Sequence, residues 1–340
     1  MFQAKRMLVT GGAGFIGSHF IRQALARFPE LAIVNLDLLT YAGSLARLHD
    51  LEPERHRFVR GDVADRELVG RLLHEHAIDT IVHFAAESHV DRSIAGPAAF
   101  IHTNVVGTFN LLDVARAQWM EQEAVASRRF LYVSTDEVYG SLAQGYANEA
   151  SRLAPNSPYS ASKAAGDHLV RAYHQTYGLP TITTHCSNNY GPFQDPEKFI
   201  PTVIRRALAG KPIPLYGDGS QIRDWLHVDD HCAALLTILT RGGVGEVYDI
   251  GADNPHTNLA LARRICKLLD AFRPDKAPHE ALLQHVSDRL GHDRRYAVDS
   301  SKLRQELGWR PATSFGEGLA DTVAWYCRPG NLDPEVRPPQ

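Results

Sequence analysis

One glycine-spaced turn limits what this chain can become more than any other stretch. Residues 7–10, Met-Leu-Val-Thr, form a short apolar run, and Gly11, Gly14 and Gly17 follow at once in G-x-x-G-x-x-G spacing. Glycine there permits a tight turn, close passage of the backbone beside a pyrophosphate, and close packing of the next helix on the strand. That helix is expected over about 15–28, with its amino end aimed at the phosphates. A second apolar run, 32–36, ends in Asp37, about 20 residues beyond the last glycine, where a carboxylate can hold the hydroxyls of an adenosine ribose. The same carboxylate would repel a 2′-phosphate, which favours NAD over NADP.

Strand-like runs recur at 57–60, 80–84, 130–133 and 181–186, with helical segments at about 65–75, 104–117 and 159–173. Such alternation predicts an α/β fold, a doubly wound parallel sheet of the Rossmann kind, followed by a smaller C-terminal α/β region. The expected division is a dinucleotide-binding domain over 1–190, a region over 191–330 that mainly binds substrate and sends some segments back, and a Pro-rich tail over 331–340. Ligands of an open parallel sheet bind beyond the carboxyl ends of its strands. Asp62 stands at such an end, as a partner for an adenine amine or as a plain turn residue. Ala85 and Ala86 are small enough to let a cofactor pass close to the backbone. Thr103 and Asn104 read as the cap of the next helix. The polar, Gly- and Pro-punctuated stretches 195–201, 216–225 and 287–293 read as loops over a pocket.

Chemistry concentrates in two stretches. Ser134-Thr135-Asp136-Glu137 ends the run at 130–133, and Tyr159 and Lys163 stand four apart, one turn from each other on a helical face. A phenol is a poor base near neutrality, and a neighbouring ammonium stabilises its ionised form. Such a tyrosine can take a proton from an alcohol while hydride leaves the same carbon, with Thr135 holding the alcohol. Asp136 and Glu137 add an acid/base pair that plain alcohol oxidation does not require.

The balance of the chain narrows the alternatives. With 340 residues, 22% charged and a formal net charge of −3, no basic surface points to nucleic acid or membrane. Cys186, Cys232, Cys266 and Cys327 are far apart and form no metal or disulfide pattern, which suits reduced thiols in the cytoplasm. His74-Glu75-His76 lacks the one-turn spacing of a helical metal pair, so no metal is expected. No apolar run reaches about 18 residues.

Taken together, these motifs resemble the extended short-chain dehydrogenase/reductases, and among them the nucleotide-sugar 4,6-dehydratases, over about residues 11–311. The resemblance rests on 84–94 (FAAESHVDRSI), the Thr135-Asp136-Glu137 triplet, 186–192 (CSNNYGP), 221–225 (QIRDW) and 291–296 (GHDRRY). It implies conversion of dTDP-glucose to its 4-keto-6-deoxy product and water, by hydride lent to NAD and returned. It further implies NAD contacts from Phe15, Ile16, Asp37, Asp62, Val63, Ala85, Ala86, Thr103, Tyr159, Lys163 and Asn189. The nucleotide-sugar would be held by Ser88, Thr135, Asn188, Glu197, Lys198, Tyr216, Arg223, Asn258, Arg289 and His292, with Arg223 and Arg289 as diphosphate clamps. A homodimer joined through the helices near 104–117 and 159–173 is implied too. The chain departs from the pattern at Leu38, where lysine is common, at His185, where asparagine or arginine is usual, and at His227, where tyrosine is common. The alternatives are a 4-epimerase, which shares all but the acid pair, a dehydratase for another nucleotide-sugar, and an NAD-sensing binding protein without turnover.

Overall fold

In the computed structural model, which describes residues 2–120, 125–328 and 330–331, the run after Lys5 is strand β1 (Arg6–Thr10). Met7, Leu8 and Val9 are fully buried because helices cover both faces of the sheet. Alternation sends Met7 and Val9 into one core and Leu8 into the other. The following strands are β2 (Ala32–Asp37), β3 (His56–Arg60), β4 (Thr80–His83), β5 (Arg129–Thr135) and β6 (Thr181–Cys186). Next come β7 (Asn188–Tyr190), β8 (Ile213–Tyr216), β9 (Ile222–His227), β10 (Val247–Ile250), β11 (Pro255–Thr257), β12 (Leu283–Val286) and β13 (Arg295–Tyr296).

Seven strands make one sheet in the order β3-β2-β1-β4-β5-β6-β10, and every pairing is parallel. Strand order reverses between β1 and β4, which opens a crevice at the strands' carboxyl ends. Helices Phe15–Arg27 and Val228–Arg241 cover one face, while Arg66–Glu75, Thr108–Trp119 and Pro158–Tyr177 cover the other. A third core gathers Ile200, Ile204, Ile213, Leu215, Trp225, Leu261, Ile265 and Leu319, around β9 and the helices Phe199–Leu208, Asn258–Phe272 and Phe315–Tyr326.

Three expectations are corrected. Thr103 and Asn104 do not cap a helix. They lie inside a continuous one, where the π-helical turn Ile101–Gly107 joins Ala98–Phe100 to Thr108–Trp119, and such a turn often marks a functional position. Residues 222–225 are strand, not loop, because β9 is paired by β11, β13 and β7. The stretch at 195–201 turns helical at Phe199. The expected tail, apart from residue 331, lies outside the described residues.

Candidate active site

A cleft runs along the carboxyl ends of β1 to β6. All the residues expected to hold the cofactor line it: Gly11, Gly14, Phe15, Ile16, Gly17, Asp37, Asp62, Val63, Ala85, Ala86, Thr103, Tyr159, Lys163 and Asn189. Gly11 has φ +70°, and a Cβ there would sit 2.6 Å from the Ala85 nitrogen, so neither its conformation nor its neighbour tolerates a side chain. At Gly17 a Cβ would fall 2.3 Å from the Gly11 carbonyl oxygen. The turn is thus a cradle of bare backbone at a helix amino end, which fits a dinucleotide pyrophosphate. Asp37 accepts bonds from the Ala13 and Leu39 N–H groups at 2.9 and 2.8 Å, fixing its carboxylate at the end of β2 with lone pairs left for ribose hydroxyls. Burial nevertheless raises its pKa above the usual carboxylate value. Asp62 accepts from the Ala64 N–H at 2.8 Å and faces His102 at 3.2 Å, so it serves the strand-end turn and still borders the cleft.

The reactive groups sit where β5 meets the helix Pro158–Tyr177. That helix begins sharply because Pro158 occupies its first turn and Ser157 and Ser160 cap each other reciprocally. Tyr159 and Lys163 are buried on its inner face, against Ser134 to Glu137. Lys163 Nζ donates to the Val133 carbonyl at 2.8 Å and lies 4.2 Å from the Tyr132 ring centroid. Burial lowers its pKa to about 8, while Asp167 pulls the other way. Burial, followed by the charge of Glu137, pushes Tyr159 well above the ordinary phenol value, and a bond with Thr135 opposes this.

The two acids are adjacent but unlike. Asp136 is 3% exposed, and its Oδ2 has no partner among the described residues. Burial raises its pKa well above normal and the Glu137 charge raises it further, while Arg223 opposes the rise. Glu137 is also raised by burial, but Arg223, Lys198 and Arg289 oppose that rise. Burial thus raises both carboxyls, Asp136 well above its usual value, while Glu137 is opposed by three cations rather than one.

The expected substrate-side residues divide. Ser88, Thr135, Asn188 and Lys198 line the same cleft, with Lys198 Nζ on the Ser88 carbonyl at 2.8 Å. Tyr216, Arg289 and His292 form a neighbouring group: Arg289 binds Asp91 at 2.9 Å and crosses the Tyr216 ring, which meets His292 edge-on. Arg223 is 8% exposed, lies over Tyr296 and donates to the Asp293 and Ile222 carbonyls. Asn258 opens the helix after β11, its N–H on the Gln221 carbonyl at 2.9 Å. Glu197 is exposed and paired with Arg92, whose guanidinium lies 3.8 Å over the Tyr41 ring. Among the described residues, no group of three or more His, Cys, Asp or Glu is placed to hold a metal ion.

Sequence reasoning missed Asn104. It is buried, accepts from the Glu87 N–H, and donates to the Glu87 carbonyl and to Ser162 Oγ. Only its cap-like Thr-Asn context stood out, and that pointed to the wrong role. Leu38, Thr40, Glu87, Cys186, Gln194 and Asp195 also line the cleft without having been singled out for it.

The family model described as GDP-mannose 4,6 dehydratase matches residues 8–322. A dTDP-glucose 4,6-dehydratase of Xanthomonas campestris pv. campestris (strain B100) is 57% identical over 325 residues, covering 94% of this chain and 92% of that protein. The crystal structure of DesIV, a dTDP-glucose 4,6-dehydratase from Streptomyces venezuelae with NAD bound, superposes with a TM-score of 0.87 at 49% identity, covering 94% of this chain and 96% of that one. The NAD complex of a UDP-glucose 4-epimerase from Thermus thermophilus superposes at 0.82 with 32% identity, covering 94% and 98%.

Proposed function

This chain belongs to the GDP-mannose 4,6 dehydratase family of extended short-chain dehydrogenase/reductases, and from that premise we propose that it converts dTDP-glucose to dTDP-4-keto-6-deoxyglucose and water. The observation that carries this reading is the unlike pair Asp136 and Glu137 in one cleft with Tyr159 and Lys163. An epimerase shares the fold and the tyrosine–lysine couple but has no use for two acids of opposed character.

NAD, bound in the glycine cradle, supplies the oxidant for carbon 4 and the hydride returned to carbon 6. Tyr159 takes the proton of the sugar's 4-hydroxyl, which Thr135 orients, and the positive charge of Lys163 favours the ionised phenol. Once carbon 4 is a ketone, the hydrogen on carbon 5 is acidic, and Glu137, backed by three cations, removes it. Asp136 gives its proton to the departing 6-hydroxyl, water leaves, and Glu137 returns a proton to carbon 5 as carbon 6 receives the hydride. The unpartnered Oδ2 of Asp136 suits a hydrogen bond to that hydroxyl. Ser88, Asn188, Lys198, Tyr216, Asn258 and His292 surround the sugar and base, with Arg223 and Arg289 facing the diphosphate; Arg289 exchanges Asp91 for phosphate oxygens on binding. Glu197, held by Arg92, is assigned to the nucleotide-sugar in this reading. The cofactor side is 1–190, joined by later segments such as β10, and 191–330 mainly serves the nucleotide-sugar. Ile101, Val106, Phe109 and Tyr177 are exposed apolar side chains on the two helices expected to pair, which supports a homodimer. No described helix is long and apolar enough to cross a membrane, and the four free thiols suit the cytoplasm.

The test is incubation with dTDP-, UDP-, CDP- and GDP-glucose and mass analysis of the products. Loss of one water from the dTDP-sugar is expected. A product isomeric with its substrate would replace this reading with epimerisation, and no product from any of the four would point to binding alone. Light scattering that returned a monomer would remove the dimer.

A further inference from the structure

Behind Lys163, away from the cleft, lies a buried cluster of charges that the reaction above does not use. His185, on β6, is 3% exposed. Its Nδ1 is 3.2 Å from Asp249 Oδ1 on β10, and its Nε2 is 3.4 Å from Asp167 Oδ2. The Tyr139 hydroxyl closes the group, 2.8 Å from His185 Nδ1 and donating to Asp249 at 2.9 Å. Asp249 is fully buried and Asp167 is 6% exposed. Two carboxylates so placed are costly unless a cation stands between them, and the imidazole is the cation that does. Asp167 also accepts from Ser134 Oγ at 3.2 Å and follows Lys163 by one helical turn, so its charge bears directly on the ammonium.

We propose that His185 is a positioning residue for the hydride-transfer chemistry: its imidazolium balances Asp167 and Asp249 and so sets the net charge presented to Lys163. The inference rests on the role given to Lys163 above. Each element packed on this cluster contributes an identifiable group. Asp167 and Lys163 come from the helix Pro158–Tyr177, Asp249 from β10, Tyr139 from the turn after β5, Tyr132 from β5 and Cys186 from β6. Glu149 lies behind Asp249, accepting its N–H at 3.0 Å, and Lys302 lies beyond them both. His83 faces Lys163 from β4. With the two aspartates on either side, His185 is held far above an ordinary imidazole, at about 10, despite the opposing effect of burial. On this proposal the imidazolium stands as a fixed charge at neutral pH, not as a switch.

The test compares the pH dependence of kcat for the wild-type protein with the variants His185→Asn, which removes the charge, and His185→Arg, which keeps it. Loss of one positive charge raises the pKa of every neighbouring group. The basic limb of the His185→Asn profile should move to higher pH by roughly one unit, and His185→Arg should restore it. A limb unmoved in a folded His185→Asn protein would overturn the proposal, as would equal shifts in both variants. Should His185→Asn fail to fold, histidine-selective NMR of the wild type decides, with the signal identified by its loss in His185→Arg. An imidazolium signal that persists to pH 8 supports the proposal, and a neutral ring at pH 7 overturns it. Failure of the dehydratase reading itself is separately visible, as the absence of water loss in the wild-type assay.

Discussion

Asn104 Nδ2 lies 2.8 Å from Ser162 Oγ, and Ser162 Oγ in turn donates to the Tyr159 carbonyl at 2.7 Å. One amide thereby ties the π-helical turn, the loop at Glu87 and the helix that carries Tyr159. Replacement of Asn104 by Ala would leave the Glu87 backbone and Ser162 short of partners in a buried setting. A loss of about 1–3 kcal/mol in stability is expected, with a fall in kcat larger than the change in KM. Denaturant unfolding and steady-state kinetics measure the two. An unchanged midpoint would show that water replaces the amide.

Glu137→Gln removes the base proposed for carbon 5 but keeps its shape. Elimination should slow by roughly 10²–10⁴-fold, while oxidation at carbon 4 continues, so reduced nicotinamide accumulates on the enzyme. Single-turnover absorbance follows it. Equal loss of oxidation and elimination would count against the role.

Substrate deuterated at carbon 4 should give product carrying the label at carbon 6, because the hydride never leaves the protein. Label washed into solvent would refute internal return. Turnover without excess added NAD is expected in the same experiment.

Lys163 is useful to Tyr159 only while charged. Burial brings its pKa down to about 8, so the rate should fall as pH rises through that value, on the basic side of the profile. Lys163→Met should lose the limb along with most of the activity. A wild-type rate level up to pH 10 would mean that bound ligands hold the ammonium charged more strongly.

Asp37→Ala would strip the carboxylate from the end of β2 and free the Ala13 and Leu39 N–H groups that it binds. Hydrogen bonds to a charged group are worth about 1.5–3 kcal/mol, so NAD should dissociate roughly 10–100 times more readily. Cofactor content after gel filtration reports this. Retention equal to wild type would mean that the ribose is held elsewhere.

The runs that became β1, β2, β4, β5 and β6 were readable because strands covered on both faces are short, β-prone and largely apolar, and the polar residues they carry, such as Asn35 and His185, are buried too. The turn at Gly11 was readable because its positive φ is a local demand, while the lack of room for a side chain is set by Ala85 at the end of β4. The helix at Tyr159 also showed, as the helical segment expected over 159–173, while its reciprocal Ser157–Ser160 cap emerged only in the fold. β9 did not show, since Ile222 to His227 mixes charged and apolar residues, and its strand character comes from partners far along the chain.

Local sequence, then, determined the sheet, the cofactor turn and the identity of the reactive groups, because backbone preference and burial act within a few residues. Tertiary structure alone decided that Asp136 is raised well above its usual value by burial while Glu137 is backed by three cations, that Asn104 anchors the helix Pro158–Tyr177, and that His185 falls between Asp167 and Asp249. Those properties depend on charges and hydrogen bonds between residues tens to more than a hundred positions apart, brought together by the order of the strands, which leaves no mark on the residues nearby.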